Sequence, residues 1–218
     1  METNTIKLKT LVVSVALIIP VEVFWGWLVF SHLPHRFLVL GGIRILEMLM
    51  LITVTIYSEG GLEAMGLTPQ RSLYGIKRGL LWSIVFATSA LILCGVLVST
   101  GINALALIRT SLPPSHQALI LFFLVGGIIS PVAEEIFFRG LLFGFFRRWG
   151  VTPAVVLSTI LFVLPHLRKG AIPITQMVGG VVFAAAYEKE KSLAAPIIIH
   201  SLGNLTIFSL SLVPQLIQ

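Results

Sequence analysis

Seven apolar runs, near residues 11–30, 37–57, 79–99, 117–146, 151–166, 172–187 and 192–213, take up most of the 218 residues and leave no room for a sizeable soluble domain. A hydrocarbon core of about 30 Å needs about 20 residues of helix rising about 1.5 Å per residue. Because that core offers no water to backbone amides, spanning segments of this kind are helical. The expected fold is therefore an all-α polytopic transmembrane helical bundle of about seven spans, with eight as the variant count. It reads as a single integral-membrane domain over residues 1–218. With 56% of side chains hydrophobic and only 11% charged, the composition excludes an ordinary soluble globular class.

The formal net charge of +6 is explained by topology rather than by nucleic acid, since membrane chains keep Lys and Arg at their cytoplasmic ends. With the N-terminus inside, Lys7, Lys9, Arg71, Lys77, Arg78, Arg147, Arg148, Lys189 and Lys191 fall on the cytoplasmic side, against Arg36, Arg109, Arg168 and Lys169 outside. The first span follows Lys7 and Lys9 without a small-residue cleavage site and reads as a retained anchor. Thr68 and Pro69 read as the N-cap and first residue of an interfacial helix leading into the third span. The single cysteine, Cys94, allows no intrachain disulfide.

Charge inside the spans is costly unless it is paired or wetted, so it marks function or structure worth explaining. The stretch "PVAEEIFFRG", residues 131–140, sets Glu134, Glu135 and Arg139 in an apolar run. Counting back from the cytoplasmic ends puts the two glutamates roughly 18–20 Å deep, His166 about 22 Å, Asn204 about 19 Å and His200 about 13 Å. Separate stretches thus bring polar groups toward one layer, where a polar cavity is expected. Pro165 should end the fifth helix at its histidine, and Pro131 should break the fourth just before Glu134.

Glu135 and Arg139, Phe162 and His166, and His200 and Asn204 are each four apart, so each pair shares a helix face. Arg139 is expected to neutralise Glu135, leaving Glu134 unpaired. Phe137, Phe138 and Phe162 are placed to line the cavity. Glu47, three residues after Arg44, is expected to pair with it; Glu22 has no partner nearby in sequence and is a candidate for the cavity.

A glutamate with a histidine can activate water, and an Asn amide with a second histidine can stabilise an oxyanion. The parts suit amide hydrolysis inside a membrane. Rival intramembrane chemistries lack their residues: there is no H-E-x-x-H, no G-x-S-x-G, and all nine acidic side chains are Glu, so no aspartate pair exists. No cofactor is implied, although Glu134, His166 and His200 offer donors that a zinc ion accepts, and that alternative stays open.

"EEIFFRG", "FVLPH" and "HSLGN" fit E-E-x-x-x-R, F-x-x-x-H and H-x-x-x-N in that order. The stretch of about residues 117–210 resembles the CAAX-prenyl-protease and bacteriocin-processing (CPBP, or Abi) family of glutamate intramembrane endopeptidases. That resemblance implies that Glu134 and His166 activate the attacking water and that His200 and Asn204 form the oxyanion site. Glu135 and Arg139 would support the first motif. It further implies a helical bundle around a cavity open toward the cytoplasmic side and the bilayer, in a prokaryotic cytoplasmic membrane. The substrate would be a peptide or a membrane-anchored protein rather than nucleic acid, with membrane lipid as the surroundings. Three other readings stand beside it: a bacteriocin self-immunity or scaffold protein without turnover, a metal-dependent CAAX-type protease, and a transporter. The last is disfavoured by the short chain and the absence of a visible inverted repeat.

Overall fold

A computed structural model describes residues 5–30, 35–104, 108–167 and 172–216. Seven helical rods are described: α1 (Leu8–Phe30), α2 (Arg36–Glu59), α3 (Pro69–Ser99), α4 (His116–Trp149), α5 (Val151–His166), α6 (Ile174–Glu190) and α7 (Ala194–Leu216). No strand forms among the described residues. Five of the rods are long and apolar enough to cross a membrane; α5 and α6 are shorter. Large apolar side chains such as Ile84, Leu91 and Ile92 face outward along α3, as expected where lipid is the solvent.

Local chemistry sets the ends. Gly60, at φ 86°, closes α2 in the left-handed conformation that glycine adopts without penalty, and its N–H donates to the Ile56 carbonyl at 3.0 Å. Thr68 caps α3, its hydroxyl accepting from the Arg71 N–H at 3.3 Å. The expected interfacial helix is not a separate element. Residues 69–78 are the first turns of one 31-residue helix, because nothing after Pro69 interrupts the backbone ladder.

Helix α4 departs from expectation at Pro131. The chain does not break there; wide, π-type turns over Val125–Ile129 and Ile136–Phe143 flank an α-helical Ser130–Glu135. The Ser130 N–H reaches back five residues to the Val125 carbonyl. That widened turn carries the rod past a residue with no N–H to give. In α5 the expectation holds: the last turn tightens over Leu164–His166 and the chain leaves the helix at Leu167.

The basic ends assembled on one side by the topology rule do meet at one end of the bundle. Lys7 pairs with Glu59 at 3.4 Å, Arg147 with Glu188 at 2.9 Å and Arg78 with Glu190 at 2.9 Å. Tyr74 and Trp82 also donate to the Glu190 carboxylate, pinning α3 to α6. Arg168 and Lys169, expected at the opposite end, lie outside the described residues. Helix α3 lies against the start of α7 through Gly75 and Gly79; a Cβ at Gly79 would stand 2.8 Å from the Ala195 carbonyl oxygen. Small residues four apart let membrane helices approach this closely.

Candidate active site

Adjacent residues on a helix point about 100° apart, so Glu134 and Glu135 serve different surroundings. The side chain of Glu135 is fully buried, whereas that of Glu134 is 20% exposed. Arg139, one turn along, donates from Nη1 to Glu135 Oε1 at 2.8 Å, as the spacing predicted. Its Nη2 donates to the Gly180 carbonyl of α6 at 3.1 Å. Three rings enclose the guanidinium: Phe162 at 4.6 Å, Phe183 at 5.2 Å and Phe138 at 5.9 Å from their centroids. A buried ion pair needs such added partners to offset the loss of water.

His200 of α7 closes the cluster. Its Nδ1 stands 2.8 Å from Glu135 Oε1, and its Nε2 stands 3.8 Å from Glu134 Oε2. Glu135, which can only accept, takes a hydrogen bond from Nδ1, while Glu134 faces Nε2 from beyond hydrogen-bond distance. The imidazole is stacked on Phe183, centroids 4.6 Å apart and planes 18° apart, and meets Phe162 edge-on at 5.7 Å. Packing thus holds the ring plane and the contact to Glu135 holds its rotation. One turn further, Asn204 donates from Nδ2 to the Gly126 carbonyl at 2.9 Å, in the first wide turn of α4.

His166 sits in the tightened last turn of α5. Its Nδ1 lies 2.9 Å from the Phe162 carbonyl of its own helix, an oxygen that can only accept, so Nδ1 carries the hydrogen and Nε2 is left as the acceptor nitrogen. Phe162 links it to the cluster, with the two rings 5.1 Å apart. His200 Nε2 comes within 3.8 Å of Glu134 Oε2 because α7 packs directly against the α4 turn that carries both glutamates.

Phe138 and Phe162, expected to line a cavity, are buried around Arg139 instead, since a guanidinium without water takes aromatic faces as neighbours. Phe183 and the Gly180 carbonyl were not foreseen; an aromatic and a glycine in an apolar run carry no signal until the helices are assembled. Glu22 is not free for the cavity. It pairs with Arg44, which also donates to Glu47 at 2.5 Å, and the Glu22 partner lies 22 residues away on another helix. Among the described residues no three His, Cys, Asp or Glu side chains converge as a metal ion would need, and Glu134, His166 and His200 do not form such a group.

Comparison with known proteins agrees with the motifs. Residues 116–206 match the model of the Rce1-like family, described as type II CAAX prenyl endopeptidase. The chain is 34% identical over 117 residues to the membrane-embedded CAAX protease MroQ of Staphylococcus aureus (strain USA300), covering 50% of this chain and 44% of that protein. It is 31% identical over 100 residues to YdiL of Bacillus subtilis (strain 168), named as a candidate membrane peptidase, covering 45% of this chain and 40% of that protein. The match thus spans less than half the length of each of these curated relatives. No solved structure matches the chain.

Proposed function

We propose that this chain is an intramembrane endopeptidase that hydrolyses a peptide bond in a membrane-associated peptide or protein, with Glu134 as the base that activates water. The observation that carries this reading is the placement of His200 between two unlike glutamates, Glu135 buried on Arg139 and Glu134 partly exposed beside the imidazole. A carboxylate freed from structural duty next to an oriented imidazole is what proton transfer from water requires. The match of residues 116–206 to a peptidase family and the names of the two relatives support the same class of reaction.

In the proposed reaction Glu134 takes one proton from water as the water oxygen adds to the peptide carbonyl. His166, anchored through Nδ1, offers Nε2 to the second hydrogen of that water and holds it in line. The carbonyl electron pair becomes an oxyanion, which accepts from the second amide hydrogen of Asn204, the first being given to Gly126, and from His200 Nε2 when that ring carries hydrogen there as well as on Nδ1, which faces Glu135. Collapse of this intermediate breaks the C–N bond, and Glu134 returns its proton to the leaving nitrogen. The products are a carboxyl and an amine terminus, and Glu134 is regenerated as carboxylate. The proposed setting is a prokaryotic cytoplasmic membrane; the positive-inside rule supports an orientation with the basic end inside.

The test is cleavage of a fluorogenic peptide library by the purified protein and by Glu134→Ala, each with and without a strong chelator. Cleavage by the wild type that falls about 100-fold or more in the variant and survives the chelator is the expected outcome. Equal cleavage by a folded Glu134→Ala protein, or loss of cleavage on chelation that added zinc restores, would overturn the mechanism.

A further inference from the structure

Most glycines inside the helices are explained by a close neighbour. An added Cβ would stand 2.8 Å from the Ala195 carbonyl oxygen at Gly79, 2.5 Å from Leu205 Cδ2 at Gly127 and 2.8 Å from Thr159 Cγ2 at Gly180. Gly203, inside α7, has nothing within 4 Å in that direction. Gly26, Gly42 and Gly95 are as open, but none of them adjoins a motif residue, and Gly42 and Gly95 lie exposed on α2 and α3. Gly203 is half-exposed, directly precedes Asn204 and follows His200 by three positions. Alanine favours a helix interior over glycine, so neither helix stability nor packing accounts for a glycine here.

The surroundings of α7 change at this level. Ile199, one turn earlier on the same face, is buried in the cluster that holds Phe138, Phe162 and Phe183. At Gly203 that face opens. Helices α5 and α6, about 24 and 26 Å long, fall short of a hydrocarbon core of about 30 Å, and α5 ends at His166, which is half-buried. From the glutamates toward the basic end, by contrast, the bundle is filled. Ile6, Met65, Leu141, Phe143 and Leu193 are each 1% exposed or less in one apolar cluster.

We propose that Gly203 is a specificity-determining residue: the substrate backbone crosses α7 over it, on the side where α5 and α6 end, and so brings its carbonyl to Asn204 and His200. This rests on the endopeptidase reading. A carbonyl inside a substrate helix is already hydrogen-bonded, so the crossing segment is extended. A glycine without Cβ lets another backbone approach closely. The space above it takes the substrate residue beside the scissile bond, and any side chain at position 203 competes for that space.

Two measurements test this. The first is kcat and KM for the best-cleaved peptide of the fluorogenic library. The unfolding midpoint of Gly203→Ala should match or exceed wild type, since nothing stands where its Cβ goes, while kcat/KM falls about tenfold, chiefly through KM. Gly203→Leu should lower kcat/KM by about 100-fold or more, with larger losses for peptides bulky beside the cleaved bond, and Gly95→Leu should leave it unchanged. The second measurement needs no turnover. Cys94 is the single cysteine, so Gly203→Cys in a Cys94→Ala, Glu134→Ala background carries one thiol and leaves peptides intact. The pooled library should slow labelling of that thiol by a small maleimide, read by mass spectrometry. Should Gly203→Leu fail to fold, Gly203→Ala and the thiol still decide. Unslowed labelling, or wild-type kcat/KM in a folded Gly203→Leu protein, would overturn the role of Gly203 while leaving Glu134-dependent cleavage to stand by itself. Slowed labelling beside a wild type that cleaves nothing would uphold the passage over Gly203 while removing the protease reading.

Discussion

His200 Nδ1 stands 2.8 Å from Glu135 Oε1, joining α4 and α7 across 65 residues of sequence at the depth where both helices carry their polar groups. The same Glu135 oxygen accepts from Arg139, so one buried atom fixes the orientation of a guanidinium and an imidazole together. Adjacent Glu134 is left to the half-open side of the cluster, and the two glutamates should fail differently when replaced.

Glu135→Ala strands the buried Arg139 charge and frees the His200 ring. Loss of one partner from such a pair costs about 3–5 kcal/mol. Glu134→Ala, at a partly exposed position, should change stability by less than about 1 kcal/mol while abolishing cleavage. Thermal unfolding in detergent beside the activity assay checks both; equal destabilisation by the two variants would contradict the division of labour.

Arg139→Lys keeps the charge and should still be poorly tolerated. An ammonium cannot reach Glu135 and the Gly180 carbonyl with two planar donors while lying among Phe138, Phe162 and Phe183. A loss of roughly 1–3 kcal/mol in unfolding free energy is expected, with a parallel fall in activity from the disturbed His200. Unfolding midpoints matching wild type would show that only the charge matters there.

Asn204→Ala removes the donor to the Gly126 carbonyl at the widened turn of α4. The structural part should cost about 1 kcal/mol, and the lost oxyanion donor a further fall in kcat of about 100-fold. Activity lost only through KM would point to substrate positioning instead. Comparing kcat with KM on one peptide distinguishes them.

Gly79→Val should separate α3 from α7, because a Cβ would stand 2.8 Å from the Ala195 carbonyl and 2.9 Å from Ile198 Cβ. Overpacking of this kind costs about 1–3 kcal/mol. The polar cluster lies beyond this contact on α7, so His200 should shift and cleavage should weaken as well. A variant as stable and as active as wild type would show that the helices have slack at the crossing.

The membrane-protein class, the helical fold and the motif spacing were legible in local pattern. Apolar run length is a property of consecutive residues, and residues four apart share a helix face whatever surrounds them. That is why the Glu135–Arg139 pair, the Arg44–Glu47 pair and the end of α5 at His166 were legible before any coordinates. Pro131 misled, because whether a helix breaks or widens at a proline depends on the carbonyls and neighbours available to absorb the lost N–H. The choice of partner between helices was decided only by packing. Glu22 found Arg44, His200 came to lie between Glu134 and Glu135, and Phe138 and Phe162 enclosed a guanidinium instead of lining open space. Crossing positions and rotations of α2, α4, α6 and α7 set those contacts, and they arise from side-chain fit summed over whole helix faces, which no single stretch of sequence carries.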